Sequence, residues 1–343
     1  MPAAAVLGTG LIGASVGIGL RASGWSVAGW DPSPDALATA ARIGAVDRAA
    51  AGPGPAIGGA DLVVLAAPVG QIVATLAGLS TEALVTDVGG VKTAVVEAAA
   101  HLPHFVGGHP MAGRETSGPE GASGSMFRGA TWVLVTDRTR PADLATMEAV
   151  VAGLGAIPLR MTAADHDRAV AAASHLPHVT AAGLLEAVAA DPGALALAAG
   201  GFRDLTRVAM SQPGWWVDVL VNNRPAVAGA LRQLAASLQG WADAVEAGDG
   251  GEIERRLDEA RRVRASMAAP VATVAVLVED RPGEIARIGH SLSASGVDLR
   301  DLQLRHATHG GGGVLTLSVR AGEQQRLLQA LEADGFRVLS ASG

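Results

Sequence analysis

The opening stretch of the chain runs apolar segment, glycine-rich turn, apolar helix pattern, second apolar segment and then an acid, and few folds accommodate that order. Residues 3–8 read as a strand. Gly8-Thr9-Gly10-Leu11-Ile12-Gly13 follows as a turn, a helix pattern continues to about Ala22, and Ser26 to Trp30 reads as a second strand ending at Asp31. Glycine makes up 45 of 343 residues, so a G-x-G-x-x-G match alone carries little weight. Its position after a strand, at the opening of a helix and about twenty residues before an acid is what points to a dinucleotide site. The glycines permit a tight turn and a close approach of pyrophosphate to the helix N-terminus, where amide donors and the dipole favour anions. Gly8, Gly10, Leu11, Ile12 and Gly13 are therefore expected to contact the cofactor. Asp31 is expected to accept hydrogen bonds from both ribose hydroxyls of NAD and to repel the extra phosphate of NADP.

The remainder falls into three segments. Asp35 to Ile43 reads as a helix and Ala60 to Ala66 as a buried strand ending at Pro68, a further cofactor candidate. A helix over 70–79 and a strand over 84–87 follow, with later strands expected over 104–107 and 131–135. Strands alternating with helices argue for a parallel, doubly wound sheet, the Rossmann type, over residues 1–161. From 162 to 267 the pattern changes to Ala/Leu-rich helices over 165–189, 194–208, 215–246 and 251–267, with breaks at Pro177, Pro213 and Pro225. A mostly helical substrate and dimerisation segment with this much apolar surface often buries some of it against a second subunit, so a homodimer is expected. Residues 268–270 read as a linker. Over 271–343 the elements run β-α-β-β-α-β, the split ferredoxin-like arrangement. The fold class is α/β: a Rossmann-type domain, a mostly helical domain and a ferredoxin-like domain.

Composition removes several function classes. A net charge of -7 gives no electrostatic reason to bind nucleic acid. No apolar run reaches the ~18 residues of a membrane helix, and the apolar N-terminus lacks a basic leader. With no cysteine there is no disulfide, thiolate nucleophile or Cys-based zinc site, and the expected location is cytoplasmic. Arginine almost entirely replaces lysine, which leaves Lys92 as the only lysine of the chain.

About a hundred residues after the fingerprint stands Gly107-Gly108-His109-Pro110-Met111-Ala112-Gly113, a histidine in a glycine- and proline-bounded loop able to hold an imidazole at a set distance from a cofactor. It is accompanied by Asp87-Val88-Gly89-Gly90-Val91-Lys92, Ser174-His175-Leu176-Pro177-His178 and Phe202-Arg203-Asp204-Leu205-Thr206-Arg207. In this order, over about residues 3–265, the motifs make the chain resemble prephenate dehydrogenases and their arogenate-using relatives. The C-terminal run Glu279 to Ala286 resembles an ACT domain, an amino-acid-sensing unit.

The resemblance implies NAD-dependent oxidative decarboxylation in tyrosine biosynthesis, giving 4-hydroxyphenylpyruvate from prephenate or tyrosine from arogenate. A hydride leaves the carbinol carbon of a cyclohexadiene, the ring carboxylate departs as carbon dioxide, and the ring becomes aromatic. It implies that His109 takes the proton of the 4-hydroxyl, a task that suits an imidazole with a pKa near working pH. It also implies that Arg207 holds a substrate carboxylate, and that His178, Ser211 and Trp216 lie on the substrate side. Gly90 and Lys92 fall with the cofactor residues. His175 and His178 do not read as a metal pair, because Pro177 intervenes and no third ligand is near, so no metal is expected.

Two positions depart from the family pattern. Gly90 stands where relatives usually carry Ser beside the catalytic histidine, and Arg114, next to Glu115, stands where many have a small hydroxylic residue. Both bear on the substrate pocket and keep open a 4-amino-4-deoxyprephenate dehydrogenase of secondary metabolism. A β-hydroxyacid dehydrogenase would need a helical lysine, which the helical segment lacks. A non-catalytic amino-acid sensor is a further alternative, opposed by retention of His109, Arg207 and the fingerprint. For the ACT-like unit, an aromatic amino acid, tyrosine first, is the expected effector. Asp280 and Gly283 would sit at the loop into its first helix, with Asp298 and Leu299 contributing across a subunit interface.

Overall fold

The computed structural model describes residues 1–113, 118–266, 271–306 and 312–342. The first elements are β1 (Ala3–Leu7), α1 (Leu11–Ala22), β2 (Ser26–Trp30), α2 (Pro34–Arg42), β3 (Arg48–Ala49), α3 (Pro53–Ile57), β4 (Leu62–Leu65), α4 (Val69–Ala77), β5 (Leu84–Asp87), α5 (Thr93–Ala98) and β6 (Phe105–Val106). They form a six-stranded sheet in the order β3-β2-β1-β4-β5-β6, with every pair parallel. This is the doubly wound Rossmann order, and its switch point lies between β1 and β4. All four residues of β4 are buried, because helices cover both faces of a parallel sheet. One apolar cluster gathers Leu7, Val63, Ile72 and Val95, and the other gathers Val6, Leu20, Val64 and Trp132.

A second, three-stranded sheet follows from β7 (Gly108–Pro110), β8 (Thr131–Val135) and, after α6 (Pro141–Gly153), β9 (Ile157–Met161). Here the sequence reading needs correction. β6 lies within the strand expected over 104–107, but His109 does not sit in a free loop. Phe105 and Val106 complete the parallel sheet, and the chain then enters β7, where His109 pairs antiparallel with Val133. The physical reason is Gly108. A Cβ there would lie 2.6 Å from the Asp87 carbonyl oxygen and 2.9 Å from Trp132 Nε1, so only a residue without a side chain passes between the two sheets.

The helical segment contains α7 (Ala163–Val170), a π-turn over Ala171–His175, α8 (Leu176–Ala189), α9 (Pro192–Ala196), α10 (Gly200–Thr206), a 3₁₀ turn over Arg207–Met210, α11 (Pro213–Asn222), α12 (Arg224–Glu246) and α13 (Gly250–Ser266). Pro213 opens α11, as a residue without an N–H can. Pro177 does not break the long helix. It sits at the start of α8, and the widened turn before it accommodates the missing donor and the ring.

Compact packing divides the chain into residues 1–237 and 238–343. The second unit contains β10 (Val271–Val278), α14 (Glu284–Ser295), β11 (Leu299–His306), β12 (Gly313–Arg320), α15 (Gln324–Ala333) and β13 (Arg337–Ser342). Its sheet order β11-β12-β10-β13, antiparallel throughout, is that of a ferredoxin-like βαββαβ unit. Val274, Val276, Leu315, Leu317 and Val319 alternate onto one buried face, covered by Ile288, Leu327 and Leu331 from the helices.

The close approach at residue 108 yields a direct expectation. Gly108→Ala forces its new methyl against backbone, so it should cost about 1–3 kcal/mol or more in urea unfolding. It should also reduce turnover by displacing the next residue, His109. Native stability and turnover in this variant would contradict the geometry.

Candidate active site

Beyond the C-terminal ends of β1 and β2 the backbone forms a cradle for an anion. Gly8 has φ +96°, and a Cβ on it would lie 2.1 Å from the Ala66 carbonyl oxygen. A Cβ on Gly13 would lie 1.9 Å from the Gly8 carbonyl oxygen, so the turn closes only with glycine at both places. Gly10 differs: nothing stands within 4 Å of where its Cβ would be, and that opening is the approach a ligand needs. Helix α1 begins there with no side-chain cap and no acid in its first turn, which leaves its amides and dipole available to a phosphate. Asp31 accepts from the Thr9 amide at 2.6 Å and the Ser33 amide at 2.9 Å, so it also braces the turn. A carboxylate has about four acceptor positions, and capacity for ribose hydroxyls remains. These residues fit a dinucleotide.

At the end of β5 a fully buried ion pair fixes the next layer. The Lys92 ammonium donates to Asp87 Oδ2 and, at 2.7 Å, to the Gly108 carbonyl. Asp87 also accepts from the Gly89 amide at 2.8 Å and the Gly108 amide at 3.1 Å. Burial pushes the Lys92 ammonium below its usual range, and Asp87 and Asp167 oppose that push. Both backbone groups of Gly108 are thereby tied down, and His109 follows immediately.

His109 is the first member of a line of polar side chains. Its Nδ1 lies 2.8 Å from His166 Nε2, and His166 Nδ1 lies 2.8 Å from Asp167 Oδ1. Asp167 further accepts from the backbone amides of Lys92 at 2.7 Å and Thr93 at 2.8 Å. Burial works against ionisation of Asp167, but the bonds from His166, Thr93 and Lys92 outweigh it and hold the carboxyl below its ordinary range. Asn223 donates to the Asp167 carbonyl at 2.8 Å and lies 3.2 Å from His175 Nδ1. Burial lowers His175 to about 4. His109 is pushed well below 6.5 by burial first, then by the neighbouring His166, Lys92 and His175. The expectation of a pKa near working pH is thus corrected: desolvation keeps this imidazole neutral. The ring abuts Gly90, where an added Cβ would stand 3.9 Å from His109 Nε2. A neutral base thus stands beyond the end of a central strand, the side on which doubly wound sheets bind their ligands.

Comparison with known proteins gives this arrangement its chemical context. Residues 16–158 match the prephenate dehydrogenase nucleotide-binding domain, and residues 162–259 match the prephenate dehydrogenase dimerization domain. "Probable prephenate dehydrogenase NovF" of Streptomyces niveus is 34% identical over 96% of this chain and 98% of its own. The chain belongs to the prephenate dehydrogenase family. Arogenate dehydrogenase of Synechocystis is 32% identical with a TM-score of 0.70, over 78% of this chain and 100% of that one. Prephenate dehydrogenase of Aquifex aeolicus, solved with hydroxyphenyl propionate and NAD+, is 28% identical with a TM-score of 0.72, over 78% and 99%. The activity is that of an NAD-dependent prephenate or arogenate dehydrogenase.

Other residues singled out from the sequence fall in several places. His178 stacks on Trp216 with ring centroids 3.7 Å apart, and His175 meets the edge of the same indole at 6.1 Å. His178 Nδ1 is buried without a protein partner among the described residues, and burial lowers its pKa. Arg207 is exposed on the 3₁₀ turn after α10. Ser211 is exposed too, its hydroxyl donating to the Val208 carbonyl at 2.8 Å. Pro68 stands immediately before α4, whose first amides it does not cap. Lys92, expected among the cofactor contacts, has no exposed side-chain surface, and its ammonium is enclosed by Asp87 and Gly108. Arg114 and Glu115 lie outside the described residues.

The sequence reading assigned no task to Asp87, His166, Asp167, Asp218 or Asn223. Asp218 on α11 accepts from the Val69 amide at 2.6 Å and the Gly70 amide at 3.0 Å, so it caps α4 from another part of the chain. Only Asp87 left a readable signal, as an acid ending a strand five positions before the only lysine.

Removing one partner of the buried pair should be costly. Lys92→Met leaves Asp87 enclosed and uncompensated, with an expected loss of about 3–5 kcal/mol in urea unfolding. Adding Asp87→Asn should recover part of it. A single variant within about 1 kcal/mol of native would show that the pair is not the anchor, since exposed pairs contribute that little.

Proposed function

We propose that His109 is the base of the dehydrogenation, accepting at Nε2 the proton of the substrate 4-hydroxyl. The reading rests on one observation above the rest: a neutral, desolvated imidazole, pinned through Gly108, abuts Gly90 beyond the end of β5. Bound NAD supplies the hydride acceptor. Gly8, Gly10, Leu11, Ile12 and Gly13 would hold its pyrophosphate at α1, Asp31 its ribose, and Pro68 and Gly90 the path to the nicotinamide. Once carbon dioxide has left and the ring is aromatic, His109 returns its proton to the product oxygen. Arg207 would grip a substrate carboxylate with its planar guanidinium, and His178, Trp216, Ser211, Arg114 and Glu115 would line the substrate side. A Cβ at Gly90 would meet nothing closer than Val219 Cγ2 at 3.8 Å. The missing side chain at Gly90, beside the His109 ring, is what keeps a second reading in which a 4-amino substituent replaces the hydroxyl.

We also read the chain as a cytoplasmic homodimer. Leu197, Leu205, Met210, Trp215, Val217 and Val221 are exposed within the segment that matches the dimerization domain.

In the second unit, Gly283 takes a left-handed conformation at the start of α14, and Asp280 is exposed beside it. Asp298 is held by Arg300 at 3.0 Å and Arg320 at 3.1 Å, next to Leu299 at the start of β11. The unit would bind an aromatic amino acid, with its carboxylate at α14 and with Asp298 and Leu299 contributed across a pairing of two such units.

His109→Asn should leave KM nearly unchanged and lower kcat by roughly 10²-fold or more, as loss of a placed general base does. Because the free imidazole titrates below 6.5, native kcat/KM should be flat above that pH and fall below it, as protonation removes the acceptor. The variant should lose this limb. NADH formation with prephenate, arogenate and 4-amino-4-deoxyprephenate, followed by absorbance, reads both. A near-normal kcat in the variant would send the proton elsewhere.

Calorimetry on the full chain should show binding of tyrosine or phenylalanine that weakens in Asp280→Ala. Absence of heat with any aromatic amino acid would leave the C-terminal unit with a purely structural part.

A further inference from the structure

We propose that His166 and Asp167 set the tautomer of His109 and share the charge it gains, acting as positioning residues behind the base. The inference deepens the reading of His109 given above and rests on it. Donors on both oxygens hold the Asp167 carboxylate ionised. An ionised carboxylate only accepts, so the 2.8 Å contact with His166 Nδ1 requires the proton on that nitrogen. In a neutral imidazole the other nitrogen is then bare, and His166 Nε2 can only accept. Its partner at 2.8 Å, His109 Nδ1, must therefore carry a hydrogen. Neutral His109 is left with a bare Nε2, on the side of the ring that faces Gly90. One carboxylate thus specifies, through two rings, which nitrogen of His109 can receive a proton.

The same line disposes of charge. When the substrate O–H bond breaks and an N–H bond forms at His109 Nε2, His109 becomes a half-buried cation that desolvation disfavours first, with Lys92 and His175 adding to it. Moving the Nδ1 proton to His166 Nε2 breaks one N–H bond and forms another, and the cation then sits against the Asp167 carboxylate. Reversal returns the proton to the product oxygen, with no net change in the protein. His166 is 1% exposed and Asp167 is 5% exposed, so water does not compete for these bonds. The perpendicular packing of the two rings, with centroids 5.1 Å apart, keeps the nitrogens aligned.

Nitrogen-15 NMR of the full-length protein at neutral pH, with His109→Asn to identify the His109 signals, tests the tautomer directly. Nδ1 protonated and Nε2 bare is the expected result, and the opposite assignment overturns the proposal. Kinetics give a second arm. His166→Leu removes the acceptor and should lower kcat by roughly 10²-fold with little change in KM. His166→Gln places a carbonyl oxygen near the same point and should recover about tenfold of that loss. A His166→Leu enzyme within about threefold of native kcat overturns the proposal. If that variant does not fold, the spectrum of the native protein still decides. Failure of the underlying reading looks different, because His109→Asn would then itself retain turnover. An inactive His109→Asn with a fully active His166→Leu would refute the relay alone.

Discussion

Asp87 ends β5 as a charge with no exposed surface, and its two oxygens tie together two separate stretches of backbone, 87–92 and the one at Gly108. A carboxylate enclosed this way costs several kcal/mol in lost hydration, which only a complete set of donors offsets. The donors are the Gly89 amide, the Gly108 amide and the Lys92 ammonium. Lys92 adds a bond to the Gly108 carbonyl, so the residue before His109 is bound at both its N–H and its C=O. The imidazole inherits its position from backbone held by a buried charge, with no dependence on a mobile surface loop. The ring is half-buried, and desolvation first, then His166, Lys92 and His175, lowers its pKa.

Two further carboxylates join the helical segment to the nucleotide-binding sheet, and both do so at helix N-termini. Helices α4 and α5 begin without any side-chain cap of their own. Asp218 from α11 takes the first amides of α4, and Asp167 from α7 takes those at the start of α5. A cap of this kind contributes about 1 kcal/mol, with more where a negative charge meets the positive end of the dipole. Each bond depends on the segments being docked, so helix start and domain contact form together. Asp167 serves both purposes at once: the oxygen that meets His166 also receives the amide of Lys92.

Much of this frame was legible beforehand. The alternation of strand and helix, the glycine turn and Asp31 announce the parallel sheet, and the C-terminal series announces the ferredoxin-like unit. What escaped lacks local pattern. β3 is two residues long, and β9 has no buried residue to give it an apolar signature. The division between β6 and β7 is set by a contact of Gly108 with Asp87 and Trp132, which are distant in sequence. His109 and His178 stand out because their neighbours are unusual. His166, Asp167, Asn223 and Asp218 are ordinary polar residues of the helical segment, and their long-range partners lie between 48 and 149 positions away.

The π-turn at 171–175 governs which residues of one long helix can work together. An α-helix turns about 100° per residue, so nine steps of regular winding would place His175 about half a turn away from His166. A turn closed by i→i+5 bonds winds less per residue, and the shortfall swings His175 back toward the side that carries His166 and Asp167. There Asn223 spans both, touching the Asp167 carbonyl and the His175 ring. The helix therefore works as a phase adjuster. Even winding over the same number of residues would give a seamless rod, yet would turn the wall that bears His178 and Trp216 out of step with the one that bears His109.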